Sequence, residues 1–190
     1  MKYRTIEPST VFPVDLEYVK SQLRITHAAH NAYIDSLIIA STDWASDFTG
    51  RQINFATLMA YCGYSYNRLL YIDRGPVISI VKVEYVNADA TLVLIPTDKY
   101  VLSKDEYAAV IILKSDFEYI NADTTRPDAI QITYTAGYGG ESAGAMQFPE
   151  LVKNAVALRA ARFYTNPDDG VDEKVTVSEN LLKSMRCPIV

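Results

Sequence analysis

An α+β fold is predicted, and three observations predict it. Apolar residues recur at helical spacing between Leu16 and Phe48 and again between Leu151 and Phe163. From Ile53 to Thr135 the chain changes to β-branched and aromatic residues broken by turn-forming clusters. No helical periodicity interrupts that block, so its strands are expected to pair antiparallel rather than through crossover helices. On this reading the terminal helices pack as a small bundle. The antiparallel β segment, about 53–135, is inserted between the second and third long helices, and residues 171–190 form an extended C-terminal arm after a single domain of residues 1–170.

Asp15 stands where an N-cap belongs, after Pro13, and Leu16, Val19 and Leu23 follow at helical spacing to give a short first helix ending near Arg24. A polar connection from Thr26 to His30 leads to Asn31, a second predicted N-cap. Ile34, Leu37, Ile38, Ser41, Trp44, Ala45 and Phe48 then share one face, and Gly50 stops the helix. Leu37 and Trp44 are expected to face the third helix in a shared core.

Strands are predicted over Phe55–Tyr61, Leu69–Ile72, Val77–Val86, Thr91–Ile95, Tyr100–Leu102, Ala109–Leu113 and Ile130–Thr135. Asp73-Arg74-Gly75-Pro76 and Asn87-Ala88-Asp89 punctuate them and predict pairing between consecutive strands. Pro149 suits the first turn of the third helix, whose stripe is Leu151, Val152, Ala155, Val156, Leu158 and Phe163. Asn166-Pro167-Asp168-Asp169-Gly170 ends it. The acidic stretch beyond has too little apolar area to fold back by itself, so the arm is expected to be mobile in the free subunit. Leu181, Leu182 and Met185 nevertheless make a small apolar face that a partner would cover.

At 190 residues, 49% of them hydrophobic, the chain suffices for one ordinary globular core. Its net charge is −5 and its eighteen Lys and Arg are scattered, which argues against wrapping a phosphate backbone. An acidic surface can still line a channel through which DNA slides. Cys62 and Cys187, far apart, indicate neither a disulfide scaffold nor a zinc site. No apolar signal core follows Met1-Lys2-Tyr3-Arg4, and the aliphatic run from Ala108 to Leu113 is far below the ~18 residues of a membrane span. A cytoplasmic protein is expected.

Several motifs resemble chemistry. Gly140-Glu141-Ser142-Ala143-Gly144 matches the G-x-S-x-G nucleophile elbow, but the base of that elbow is a histidine downstream of the serine. His27 and His30 are both upstream. His27-x-x-His30 could share a metal, yet only Asp35 is at hand as a further ligand. Asp168-Asp169-Gly170 with Asp172 and Glu173 lacks the ligand spacing of a calcium loop. Gly137-Tyr138-Gly139-Gly140 lacks the Lys-Ser/Thr of a phosphate loop, and its glycines are expected to supply positive φ angles. No catalytic constellation, cofactor site or metal site is therefore predicted. Tyr61, Tyr64, Tyr66 and Tyr71 crowd one region, where they serve either an interface or the cover of a sheet.

An ordered set of segments resembles the head-to-tail connector (adaptor, or head completion) proteins of tailed bacteriophages. Pro13 to Lys20 with Leu23-Arg24-Ile25 is similar to that family's opening helix. Tyr33 to Phe48 with Thr49-Gly50-Arg51-Gln52-Ile53 resembles its second helix. Leu70 to Pro76 and Val77 to Tyr85 resemble its first long strand pair, and Ile132 to Gly139 the strand and turn before its last helix. Pro149 to Ala155 matches the start of that helix, and Leu181-Leu182 with Arg186 the closing arm. The resemblance implies a structural subunit of the virion neck, assembled in the host cytoplasm. Its copies would form a twelvefold ring on the portal protein and extend the DNA channel toward a tail or stopper protein, without sequence-specific DNA binding. Leu181, Leu182, Met185 and Arg186 are the candidate contacts to portal or neighbour. Two features depart from the family pattern: the long stretch from Asn87 to Thr125, and the lack of a proline near Val175. A serine hydrolase using Ser142 and a stand-alone ligand-binding module are the alternatives from other classes.

Overall fold

A computed structural model describes residues 1–105, 108–140, 146–166 and 176–186. They form two compact units, one of Met1–Pro8 with Phe55–Gly137 and one of Ser9–Asn54 with Tyr138–Val190. The fold is α+β, with helices and antiparallel sheets. Residues 55–137 make up most of the first unit, and a strand from the start of the chain joins them.

The second unit is helical. Helix α1, Leu16–Leu23, starts as its sequence dictates, with the Asp15 carboxylate accepting the Tyr18 N–H at 2.7 Å. It ends at Arg24 in the left-handed region, φ 57°, whose N–H donates to the Lys20 and Ser21 carbonyls. Asp15→Ala is expected to cost about 1 kcal/mol through loss of this cap, measured as a lowered melting temperature.

Helix α2 spans Asn31–Thr49 and ends at Gly50, φ 70°. Asn31 is its first helical residue rather than its cap: the Ile34 N–H already donates to the His30 carbonyl at 2.9 Å, so His30 takes the cap position, without a side-chain bond. The buried face runs through Ile34, Ile38, Ser41, Thr42, Ala45, Ser46 and Thr49. Thr42, Ser46 and Thr49 can be buried because each hydroxyl donates to a carbonyl one turn back, at 2.8, 3.0 and 2.7 Å. Leu37 and Trp44 are half-buried and pack at the margin of this core, not at its centre.

Helix α3, Glu150–Thr165, buries Val152, Ala155, Val156, Ala157 and Ala160. All five side chains are alanine or valine, of small volume, which lets neighbouring helices approach closely. Helix α4, Val177–Leu182, continues into a 3₁₀ turn, Lys183–Met185. The extended arm predicted from 171 onward is therefore not what residues 176–186 adopt. A capping box starts α4, with the Glu179 N–H donating to Thr176 Oγ1 and the Thr176 N–H donating to Glu179 Oε2. Leu182 is then fully buried in the core of α1, α2 and α3. The acidic stretch before it does not have to supply that apolar area, because the other three helices do.

The first unit holds two antiparallel sheets, ordered β1-β2-β8-β4-β5 and β3-β7-β6. The strands are β1 Lys2–Glu7, β2 Ala56–Cys62, β3 Leu69–Ile72, β4 Val77–Val86, β5 Leu92–Leu94, β6 Tyr100–Lys104, β7 Ala109–Leu113 and β8 Ile130–Ala136. Consecutive pairing holds for β4 with β5 and β6 with β7, but β3 and β4 lie in different sheets. The late strand β8 instead takes the middle of the larger sheet, between β2 and β4. Ile130, Ile132, Thr133, Tyr134 and Ala136 are buried along it, as befits a central strand. Strand β1 has no predicted counterpart, since it lies at a sheet edge, almost wholly exposed, and shows no alternation of apolar and polar residues. One core, including Leu58, Leu70, Val83, Ile111 and Ile132, joins the two sheets.

Candidate interaction surfaces

Four side chains were predicted to meet a portal or neighbour, and the structure treats them differently. Leu182 belongs to the helical core, Leu181 and Met185 are half-buried against it, and Arg186 is exposed. A stack of aromatic rings and guanidinium groups fastens this region. The Arg159 guanidinium of α3 lies 4.3 Å from the centroid of Trp44 and 4.9 Å from that of Phe163. Its Nη1 is 3.7 Å from Glu179 Oε1 of α4. Trp44 stacks on Phe48 at 5.4 Å, and the Arg186 guanidinium sits 5.6 Å from the Phe48 ring.

Burial lowers the Arg159 pKa from its ordinary value, and the Glu179 carboxylate opposes that shift. The cation is thus held by ring faces and one carboxylate, an arrangement that ties α4 to α2 and α3. Sequence reasoning overlooked this node. The spacing Thr176-x-x-Glu179 ahead of Leu181 was the available signal that a folded helix, not a loose arm, begins there. The i,i+4 spacing of Arg159 and Phe163 was a fainter one.

Other candidate motifs resolve as structure. His30 Nδ1 is hydrogen-bonded to the Tyr164 hydroxyl, and its ring meets that of His27 edge-on at 5.0 Å. Among the described residues no three His, Cys, Asp or Glu side chains are placed to hold a metal ion. Gly137 and Gly139 have φ of 105° and 76°, as the turn requires. Both sheets are antiparallel, whereas a nucleophile elbow sits on a parallel sheet with crossover helices. Ser142, the acidic stretch of Asp168 to Glu173 and Cys187 lie outside the described residues.

In the first unit, a groove of about 540 Å³ is lined by Met1, Cys62, Tyr64, Tyr66, Leu69 and Tyr71, among others. Tyr64 packs its ring against Tyr66 and Tyr119, each at 4.7 Å, so part of the tyrosine cluster covers the sheet. Tyr66 and Tyr71 remain exposed. Burial pushes the Cys62 thiol up to about 11, which keeps it protonated and unreactive at neutral pH. Burial likewise pushes Tyr3 up to about 12, and its hydroxyl bonds to Asp73. Neither group is poised for catalysis.

Residues 13–89 match the family model described as phage gp6-like head-tail connector protein. This stretch is similar to the head-tail connector family. The resemblance read from the ordered motifs is borne out there, across α1, α2 and β2 to β4. No curated protein matches the chain by sequence. Among solved structures, a chain from the neck of an empty gene transfer agent particle, computed with C6 symmetry, matches with TM-score 0.80 and 17% identity. A chain from the neck of the native particle, computed with C12 symmetry, matches with TM-score 0.77 and 17% identity. A third, from the native virion, gives the same values. Each alignment covers 100% of this chain and 97% of the other, so the fold is shared. Among the described residues, no helix is long and apolar enough to cross a membrane.

Proposed function

We propose that this chain is the structural connector subunit of a phage-like neck, forming a ring that docks on a portal protein and extends the DNA channel toward the tail. The observation that carries this reading is a connector family segment within a chain whose whole fold matches subunits of a particle neck. Twelve copies per ring agree with the C12 symmetry of one of those necks. The net charge of −5 suits a channel that passes DNA without binding it. The partners are other copies of the chain, the portal, and a tail or stopper protein below. In this reading α4 fixes the portal-facing end, with Leu182 as its internal anchor and Leu181, Met185 and Arg186 turned to the contact.

The test mixes purified chain with the portal rings of the same particle and examines them by negative-stain electron microscopy and co-sedimentation. Ring density added beneath the portal is the expected result, and Ser142→Ala is expected to leave it unchanged. A chain that remains monomeric and ignores the portal would overturn the reading. Turnover of a chromogenic ester that disappears in Ser142→Ala would replace it with the hydrolase alternative.

A further inference from the structure

The outer face of the three-stranded sheet is apolar and uncovered. Side chains alternate across a strand, and Leu70, Ile72, Ile111 and Leu113 point into the core. Tyr71, Val101 and Ile112 are left outward, at 51%, 50% and 40% exposure. Ile112 pairs with Leu69 on one side and Val101 on the other, so these three make one cross-strand row.

One end of this face is basic. The Lys114 N–H donates to the Lys99 carbonyl at 2.9 Å, the Leu113 N–H to the Arg68 carbonyl at 2.9 Å, and Arg68 Nη1 to the Lys114 carbonyl at 2.7 Å. Arg68, Lys114 and Lys99 therefore stand side by side where the strands end. Asp116 pairs with Lys99 at 2.7 Å, while Arg68 and Lys114 are in no ion pair among the described residues.

The helical unit carries a surface of opposite sign. Helix α2 contains three aspartates and no Lys or Arg. Its outward positions hold Tyr33 and Ile39, at 45% and 44% exposure, and further along Asp43 and Asp47, both exposed. Asp47 lies in the last turn, at the negative end of the helix dipole, where a carboxylate is unfavourable without a nearby cation. Its own helix supplies none. The spacings also agree. Ile39, Asp43 and Asp47 repeat about every 6 Å along the helix. Val110, Ile112 and Lys114 repeat about every 6.8 Å along β7 and its continuation. Both surfaces pass from apolar to charged over a similar length, one ending acidic and the other basic.

We infer that the outer face of β3-β7-β6 is the docking surface for α2 of a second copy of this chain, with Asp47 set against Lys114. This rests on the ring reading above and names the surfaces that join its copies. Two different patches meeting head to tail generate a ring when the rotation between copies closes, whereas a patch meeting itself stops at a pair. The apolar row supplies the buried area, and the charges set register and exclude the reversed orientation.

The experiment uses the full chain, with Asp47→Lys and Lys114→Glu made singly and together, and ring formation with and without portal measured by analytical ultracentrifugation and electron microscopy. Each single variant is expected to raise the concentration needed for half-assembly by about tenfold or more. The double variant, and an equal mixture of the two single variants, are expected to restore it, since every junction then joins opposite charges. Circular dichroism of all variants is expected to match wild type because both residues are exposed. Rings that form equally well in both single variants, or a double variant no better than the singles, would overturn this inference and leave the ring reading standing. A wild-type chain that forms no ring at all would overturn both.

Discussion

Leu182→Ala is expected to destabilise the helical unit by about 2–5 kcal/mol, the range for a buried leucine that leaves a cavity. Leu182 is fully buried and packs in the same cluster as Ile34, Ile38 and Val156. Its neighbour Leu181 is only half-buried, so Leu181→Ala is expected to cost clearly less. Urea denaturation of the two variants provides the comparison, since a cavity moves the midpoint without moving the slope. Equal and negligible effects would mean that residues 176–186 do not pack on the other helices. This changes how a C-terminal truncation must be read. Removing residues 171–190 takes Leu182 out of the core and Glu179 away from Arg159, so loss of portal attachment in such a truncation would mix unfolding with loss of contact. Arg186→Ala probes the contact more cleanly, because Arg186 is exposed and touches its own unit through the face of Phe48.

Gly139→Ala is the second large expected effect, at about 2–5 kcal/mol. Two causes add. Gly139 has φ 76°, a conformation that costs an L-residue about 1–2 kcal/mol. A Cβ at this position would lie 2.1 Å from Phe148 Cε2 and 2.6 Å from Cζ, so the ring would have to move, with an overpacking cost of about 1–3 kcal/mol. Phe148 is itself buried, and its ring lies 6.4 Å from that of Tyr138. Phe148→Leu should relieve part of the clash, so the double variant is expected to lose less stability than the sum of the single changes. Thermal melts of the four proteins in this cycle measure that coupling. A neutral Gly139→Ala would show that the turn has room the structure does not give it.

Local chemistry made much of this protein legible before its structure. Leu69–Ile72, Val77–Val86 and Ala109–Leu113 have the predicted boundaries because turn-forming residues flank each run. Asp15 and Gly50 act as predicted, since a cap depends only on residues within one helical turn. The connector resemblance was legible for a related reason: its motifs are short segments in a required order. By contrast, β1 is a strand because the edge of β2 offers hydrogen-bond partners, and nothing within Lys2–Glu7 announces that edge.

The partition of strands between two sheets, and the central place of β8, were decided by tertiary structure. Pairing partners far apart in sequence are chosen by which faces can be buried together, and each strand's own alternation is compatible with several partners. The fate of Leu181, Leu182 and Met185 was decided in the same way. Their sequence specifies a short apolar face that must be covered, but not by what. Only the assembled core of α1, α2 and α3, with Arg159 held between Trp44 and Phe163, shows that this chain covers Leu182 itself and leaves Arg186 at the surface. The physical reason is that burial is a property of the space several elements enclose, whereas a cap or turn is a property of a few consecutive residues.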